Sequence, residues 1–343
     1  MSDSPSTIDL DEATEPFYVG VDLGGSSMKV GLVDDRGRTL KRHKIPTEVH
    51  RGPEEGARRM GEAVGKVAGD AGLGRDGIAR VGLGSPGTMD IPAGMLLEPH
   101  NLPGWQEFPI RDALERHCGL PVTFVNDANA AAYGEYWVGR GSEFHSMVLL
   151  TLGTGIGCGI IVGDLLIEGE HSHGAECGHI IIDYGDDARV CPCGQPGHLE
   201  GYASARSVIA RTEEALAAGR ASVLSARVAA GEQLSPMMLA QAAEAGDELS
   251  LEIILETARY LGVGIVSLIH TIDPDGVVLG GAMTFGGGDI ELGRRFLERI
   301  RQEVRERAFP VLAEKVQVDF ASLGGDAGYI GAAGCARLEF GEK

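Results

Sequence analysis

Two stretches of this chain, 129 residues apart, repeat one pattern, and that repeat limits the possible folds more than any other feature. Residues 17–33 read FYVGVD, a turn LGGSS, then MKVGLV. Residues 147–162 read MVLLT, LGTGIG and CGIIV. Apolar runs rich in Val and Ile, broken by clustered glycines, signal paired strands around a tight turn. Setting Val19 on Val148 aligns Leu23 with Leu152, Gly24 with Gly153 and Val33 with Val162. The repeat predicts two similar α/β domains facing one cleft. Around it, residues 52–71 have helical character, 80–84 and 121–125 read as short buried strands, and a helix starts at 129. Ser235-Pro236 forms an N-cap and N1 pair opening a helix to 245. A long apolar helix over 249–272 stops at Asp273-Pro274. A strand at 276–279, a helix at 291–308, a strand at 316–320 and a helix at 326–339 complete an alternating α/β pattern.

Composition removes several classes of function. The chain of 343 residues is 43% apolar, enough for one large or two medium cores. Its net charge is −20, without a Lys/Arg cluster, which argues against a nucleic-acid partner. No run reaches the 18 apolar residues of a membrane span. Residues 1–16 are polar and acidic, expected to be a disordered tail, and carry no signal core. Six cysteines lack the density of a disulfide framework, consistent with a cytoplasmic protein.

The glycine turns and their flanks carry the chemistry. Asp22 ends the first strand, and Gly24, Gly25, Ser26 and Lys29 follow it. Such a turn lets backbone N–H groups approach phosphate, while the Asp holds Mg²⁺ directly or through water. A plain Gly-rich hairpin would read the same way. Gly153, Thr154 and Gly155 suit an opposite jaw for phosphates. The strand that follows them excludes a Rossmann dinucleotide fingerprint, which needs a helix there. Gly280-Gly281 closes another strand and suits close approach of a nucleoside, or a simple turn. Asn126-Asp127 follows a buried strand. A carboxylate there can take a proton from a hydroxyl as general base, or merely cap the next helix. His179, Cys191, Cys193 and His198 have the spacing of a structural Zn²⁺ site. Cys177 competes for it, although a buried thiol is the simpler reading. Glu176 and Glu200 bracket the loop and suit sugar hydroxyls, although taken alone they read as two solvated glutamates.

Taken in order, DLGGSSMKVGLVD, GLGSPGTMD, FVNDANAAAYGEYWVGRG, LTLGTGIGCGIIV, GAECGHI, CPCGQPGHLEGYAS, VVLGGAM and LGGDAGYIGAA resemble the ROK family of sugar kinases and repressors. The resemblance covers nearly everything after residue 16. It implies an actin-like (ribonuclease H-like) two-domain fold with a cleft. The small domain would be 17–130 plus 326–343, and the large domain 131–325 with a zinc loop at 176–200. It implies sugar contacts from Gly87, Asn126, Asp127, Glu176, His179 and Glu200. Phosphate contacts fall on Gly24-Gly25 and Gly153-Thr154-Gly155, and the nucleoside contact on Gly280-Gly281. Zinc ligands fall on His179, Cys191 and Cys193. His198 departs from the family, which usually has cysteine there. The implied reaction is ATP·Mg²⁺-dependent phosphorylation of a hexose at O6, glucose first, with Asp127 as base. Fructose, mannose, allose or N-acetylmannosamine as acceptor, and polyphosphate as donor, are the alternatives. A repressor is not expected, because those relatives carry a DNA-binding helical segment of several dozen residues where this chain has a 16-residue segment of acidic character. A homodimer or homotetramer is the expected assembly.

Overall fold

The computed structural model describes residues 7–99 and 101–341. Strands β1 (Phe17–Leu23), β2 (Ser27–Val33) and β3 (Thr39–Pro46) form an antiparallel meander. Helix α1 (Pro53–Asp70) leads to β4 (Ile78–Ser85), which runs parallel to β1. A small hairpin, β5 (Met89–Asp90) and β6 (Met95–Leu96), and helix α2 (Ile110–Cys118) precede β7 (Val122–Asn126), parallel to β4. Helix α3 (Asp127–Val138) starts without a break from β7. The sheet order is β3-β2-β1-β4-β7.

The second sheet repeats this plan. Strands β8 (Ser146–Leu152) and β9 (Ile156–Val162) fall on β1 and β2 at a constant offset of 129 residues. Strand β10 (Leu165–Leu166) pairs antiparallel with β9. Helices α4 (Glu200–Ala203), α5 (Ala205–Ala217), α6 (Leu224–Ala229), α7 (Pro236–Glu244) and α8 (Glu248–Ile272) follow. Strand β11 (Gly276–Gly281) is parallel to β8. After α9 (Glu291–Arg307) and α10 (Pro310–Lys315), β12 (Gln317–Phe320) is parallel to β11. The order β10-β9-β8-β11-β12 matches the first sheet strand for strand. Local signals act as the sequence indicates. The Ser235 hydroxyl accepts from Met238 N and caps α7. Asp247, not singled out in the sequence, accepts from Ser250 N and caps α8. Among the described residues α8 alone is long and apolar enough to cross a membrane, and 61% of its most apolar stretch is buried inside the protein.

Helix α11 (Ala327–Gly341) returns to the first sheet. Strand alternation sends Val19, Val21 and Leu23 toward α1 and α2, into a core with Met60, Trp105 and Leu114. Tyr18, Gly20 and Asp22 face the other way, toward α11. There the contact is backbone on backbone. A Cβ on Gly20 would lie 1.7 Å from the Tyr329 carbonyl oxygen, and one on Gly82 1.8 Å from that of Ala332. A Cβ on Gly331 would lie 1.6 Å from the Ala130 oxygen, so α11 also lies directly on α3. Gly20→Ala is therefore expected to destabilise the protein by about 3 kcal/mol through overpacking, read as a lower urea midpoint at unchanged slope.

Two expectations need correction. The chain divides into compact units Met1–Phe144 with Gly159–Ala175 and Ala321–Lys343, and His145–Cys158 with Glu176–Phe320. The first boundary thus falls beyond all of α3, not at residue 130, because α3 packs on β4 and α11. Segment 159–175 also joins the first unit: a Cβ on Gly159 would touch Ala132 and Ala128 of α3. In the expected tail, residues 1–6 lie outside the described residues, but 7–16 are anchored. Ile8 N donates to Thr39 O (3.0 Å), Asp35 N to Thr14 O (2.9 Å), and Thr14 N to the buried Asp34 carboxylate (3.1 Å). An edge strand and a buried acid supply partners that composition alone does not reveal.

Candidate active site

In the first unit the candidate residues meet at the carboxyl ends of three parallel strands. Register sets Asp22 beside Gly84 and Ser85 beside Asn126. Asp22, Gly87, Asn126 and Asp127 therefore gather at one edge, where open α/β sheets build their sites. The Asn126 side-chain oxygen accepts from Ala128 N (2.9 Å) and Asn129 N (3.2 Å). The N-cap of α3 is thus Asn126, and its amide NH₂ is its remaining donor group. Asp127 occupies the first helical position, with Oδ1 accepting from Ala128 N (2.8 Å). Gly87 has φ +94° and faces Pro99, whose Cα a Cβ would approach to 2.5 Å.

The turn after β1 is held from outside. Gly24 N donates to Ser27 O (3.0 Å), Thr47 N to Ser26 O (3.1 Å), and the Thr47 hydroxyl to Gly24 O (2.5 Å). Neither Gly24 nor Gly25 is left-handed. Gly25 is needed because a Cβ would come 2.7 Å from Asn101 O. Ser26 is exposed at the tip. Lys29 Nζ lies 3.7 Å from Asp22 Oδ2 and donates to Gly325 O. Burial raises the Asp22 carboxyl above its ordinary pKa, and Lys29 opposes that rise. Asn101 and Thr47 have no motif around them, and sequence reasoning passed over both.

In the second unit, β8 and β11 end together, with Leu152 beside Gly281. That places the turn Gly153-Thr154-Gly155 next to Gly280-Gly281. Gly281 has φ +90°, and a Cβ would lie 2.3 Å from Leu152 O. The turn is closed by Gly153 N on Gly155 O (3.0 Å), with Thr154 exposed at its tip. Glu200 joins this turn to the Cys/His loop. Its Oε2 accepts from Ile156 N (2.7 Å), and its Oε1 lies 3.9 Å from Cys191 Sγ. A Cβ on Gly155 would fall 2.4 Å from Oε2, so this glycine makes room for the carboxylate.

The loop gathers His179, Cys191, Cys193 and His198, with one ligand atom from each and all four within 4.8 Å of one another. His179 Nδ1 is 3.3 Å from His198 Nδ1 and 3.7 Å from Cys191 Sγ, and Cys193 Sγ is 3.2 Å from His198 Nδ1. Glu176 Oε2 lies 3.9 Å from the other His179 nitrogen, Nε2. Local turns make the cluster: Gly194 N bonds back to Cys191 O, Gly194 and Gly197 are left-handed, and Leu199 N bonds to Ile180 O. Burial pushes the Cys191 thiol up to about 12, while burial and His179 lower His198. Cys177 is not in the cluster. It lies buried against Cys158, whose thiol burial and Cys177 together raise well above its usual value.

A duplicated β-meander with two added parallel strands, carrying glycine turns at its strand ends, is the fold of the actin-like ATPases and sugar kinases. The ROK family model matches residues 18–338, and this chain belongs to the ROK family. It is 32% identical to a glucokinase of Halalkalibacterium halodurans, over 93% of this chain and 94% of that protein. Among solved structures it resembles a ROK hexokinase from Thermus thermophilus, with TM-score 0.79, 33% identity, and 95% and 100% of the two chains covered. It also resembles a ROK family glucokinase from Streptomyces griseus in complex with glucose and AMPPNP, with TM-score 0.76, 33% identity, and 94% and 99% covered.

Proposed function

We propose that this chain is a glucokinase that transfers the γ-phosphoryl group of ATP to the 6-hydroxyl of glucose. The observation that carries this reading is its likeness, across nearly the whole chain, to the glucokinase solved with glucose and AMPPNP. In the reaction the O6 oxygen bonds to the γ-phosphorus, the bond from that phosphorus to the β,γ-bridging oxygen breaks, and ADP leaves. Asp127 accepts the O6 proton. Its place at the carboxyl end of β7, with the cap left to Asn126, supports that role. Asn126, Gly87, Glu176, His179 and Glu200 bind the sugar. Asp22 holds the Mg²⁺ of the nucleotide or its water. Gly24, Gly25, Ser26, Lys29, Gly153, Thr154 and Gly155 meet the phosphates, and Gly280-Gly281 the nucleoside.

The Cys/His cluster fits Zn²⁺. Tetrahedral zinc with Zn–N of ~2.05 Å and Zn–S of ~2.3 Å has N–N edges of about 3.3 Å and N–S edges of about 3.6 Å. The His179–His198 separation of 3.3 Å and the His179–Cys191 separation of 3.7 Å match that figure. The Cys193–His198 separation of 3.2 Å is shorter than an N–S edge, and the four ligand atoms span up to 4.8 Å, so the cluster is close to tetrahedral dimensions without reproducing them. His179, Cys191, Cys193 and His198 would hold the ion, which supplies a rigid cross-link and no redox chemistry. With Nδ1 committed there, His179 Nε2 is free to act as a donor toward a sugar hydroxyl beside Glu176. Consumption of ATP and six free cysteines support a cytoplasmic enzyme, and self-association as a dimer or tetramer is expected.

A coupled assay with glucose, fructose, mannose, allose and N-acetylmannosamine, each with ATP and with polyphosphate, tests the assignment. Glucose with ATP is expected to give the highest kcat/KM. A higher value for another pair would reassign the substrate, and no turnover with any pair would remove kinase activity.

A further inference from the structure

Glu135 lies near the far end of α3 and is fully buried, at 0% exposure. Oε1 accepts from Ser322 N (3.0 Å) and Leu323 N (2.7 Å). Oε2 accepts from Arg140 N (2.8 Å) and the Ser322 hydroxyl (3.1 Å). The Glu135 carbonyl accepts from Gly139 N (3.1 Å) and Gly141 N (2.8 Å). A Cβ on Gly139 would sit 2.2 Å from Oε2, so the chain is shaped around this carboxylate. Taking a carboxylate out of water is costly, and packing alone would be better served by an apolar residue. What such a group contributes is a fixed geometry for its donors.

The donors connect two sets of reacting groups. Asp127 is on the same helix, eight residues earlier and about 12 Å away along the axis. Ser322 and Leu323 begin the loop whose next residues flank Asp22 and Lys29. Gly325 O accepts from Lys29, Asp326 pairs with Arg42, and a Cβ on Gly328 would lie 2.6 Å from Asp22 Cγ. We propose that Glu135 is a positioning residue that holds the helix bearing Asp127 and the loop flanking Asp22 and Lys29 at one fixed separation. The inference rests on the roles given above to Asp127, Asp22 and Lys29. A slip of about 1 Å in such a frame is enough to cost 10²-fold in rate without touching the reactants.

The test is Glu135→Gln in the full chain. The amide replaces one acceptor oxygen with a donor that faces other N–H groups, at nearly unchanged volume. kcat is expected to fall at least about tenfold, with the glucose Kd by calorimetry within about threefold of wild type. In a double-mutant cycle with Lys29→Ala the two losses should be non-additive, because both act through the 322–325 loop. A kcat within about twofold of wild type, or losses that simply multiply as a general structural defect would give, overturns the proposal. If Glu135→Gln does not fold, Ser322→Ala removes one of the accepted bonds and is judged by the same two criteria. Asp127→Asn run alongside separates the failures: normal turnover there sinks the reaction assignment and says nothing against Glu135.

Discussion

Asp127→Asn is expected to lower kcat for glucose phosphorylation by about 10²–10⁴-fold, the range a positioned general base contributes. The amide has the size and the accepting oxygen of the carboxylate but does not take up a proton at neutral pH. That loss is about 3–5 kcal/mol of barrier at 1.36 kcal/mol per decade. The cost to folding is far smaller. The helix cap belongs to Asn126, so Asp127 contributes mainly a favourable charge at the helix N-terminus, about 0.3–1 kcal/mol. Activity should therefore vanish from a protein that still melts within a few degrees of wild type. Glucose binding by calorimetry should weaken by about ten- to 100-fold at most, because a hydrogen bond to a charged group is worth roughly 1.5–3 kcal/mol. Phosphoryl transfer through a loose transition state leaves positioning as the main residual source of rate. A variant that keeps kcat within threefold of wild type would take Asp127 out of the mechanism.

What the sequence disclosed follows from how far each signal reaches. The duplicated hairpin is legible because strand, glycine turn and strand are local, and the structure keeps the offset of 129 in all four strands. The Ser235 cap is equally local. The second-unit cluster is legible because His179, Cys191, Cys193 and His198 come from a single loop with a metal-ligand spacing. Domain limits are less legible. Whether α3 belongs before or after the boundary depends on Gly331 and Gly134 lying against its partner helix, a contact between residues nearly 200 positions apart. Gly25 shows the same limit. Its motif suggests backbone freedom, yet the reason for glycine is the carbonyl of Asn101, far away in sequence. Glu135 was invisible for a related reason. A glutamate in a helix reads as a solvated residue until Ser322 and Leu323 are brought to it.

Removal of the metal is expected to have the second large effect. Purified protein should contain about one zinc per chain, and Cys191→Ala should contain close to none, since a structural site rarely survives loss of one of its four ligands. The loop from 176 to 200 carries Glu176 and His179 at one end and Glu200 at the other. It closes through backbone bonds such as Leu199 N to Ile180 O and through the four side chains. Without the cross-link, Glu200 keeps its bond to Ile156 N, whereas the His179 side chain loses the metal and keeps only the approach of Glu176 at 3.9 Å among the described residues outside the cluster. We therefore expect Cys191→Ala to lose most glucose binding, with Kd raised by two orders of magnitude, about 2.7 kcal/mol, while AMPPNP binding changes little. Burial that pushes the Cys191 thiol up to about 12 acts in the same direction. The metal must displace that proton, so acidification favours release, and zinc loss should set in as pH falls. The fourth ligand is decided by two further variants. His198→Ala should lower the zinc content, whereas Cys177→Ala, directed at a thiol packed on Cys158, should leave it at one per chain. Zinc absent from the wild type while residues 176–200 stay ordered would show that hydrogen bonds alone build this loop, and zinc retained in Cys191→Ala would remove Cys191 from the ligand set.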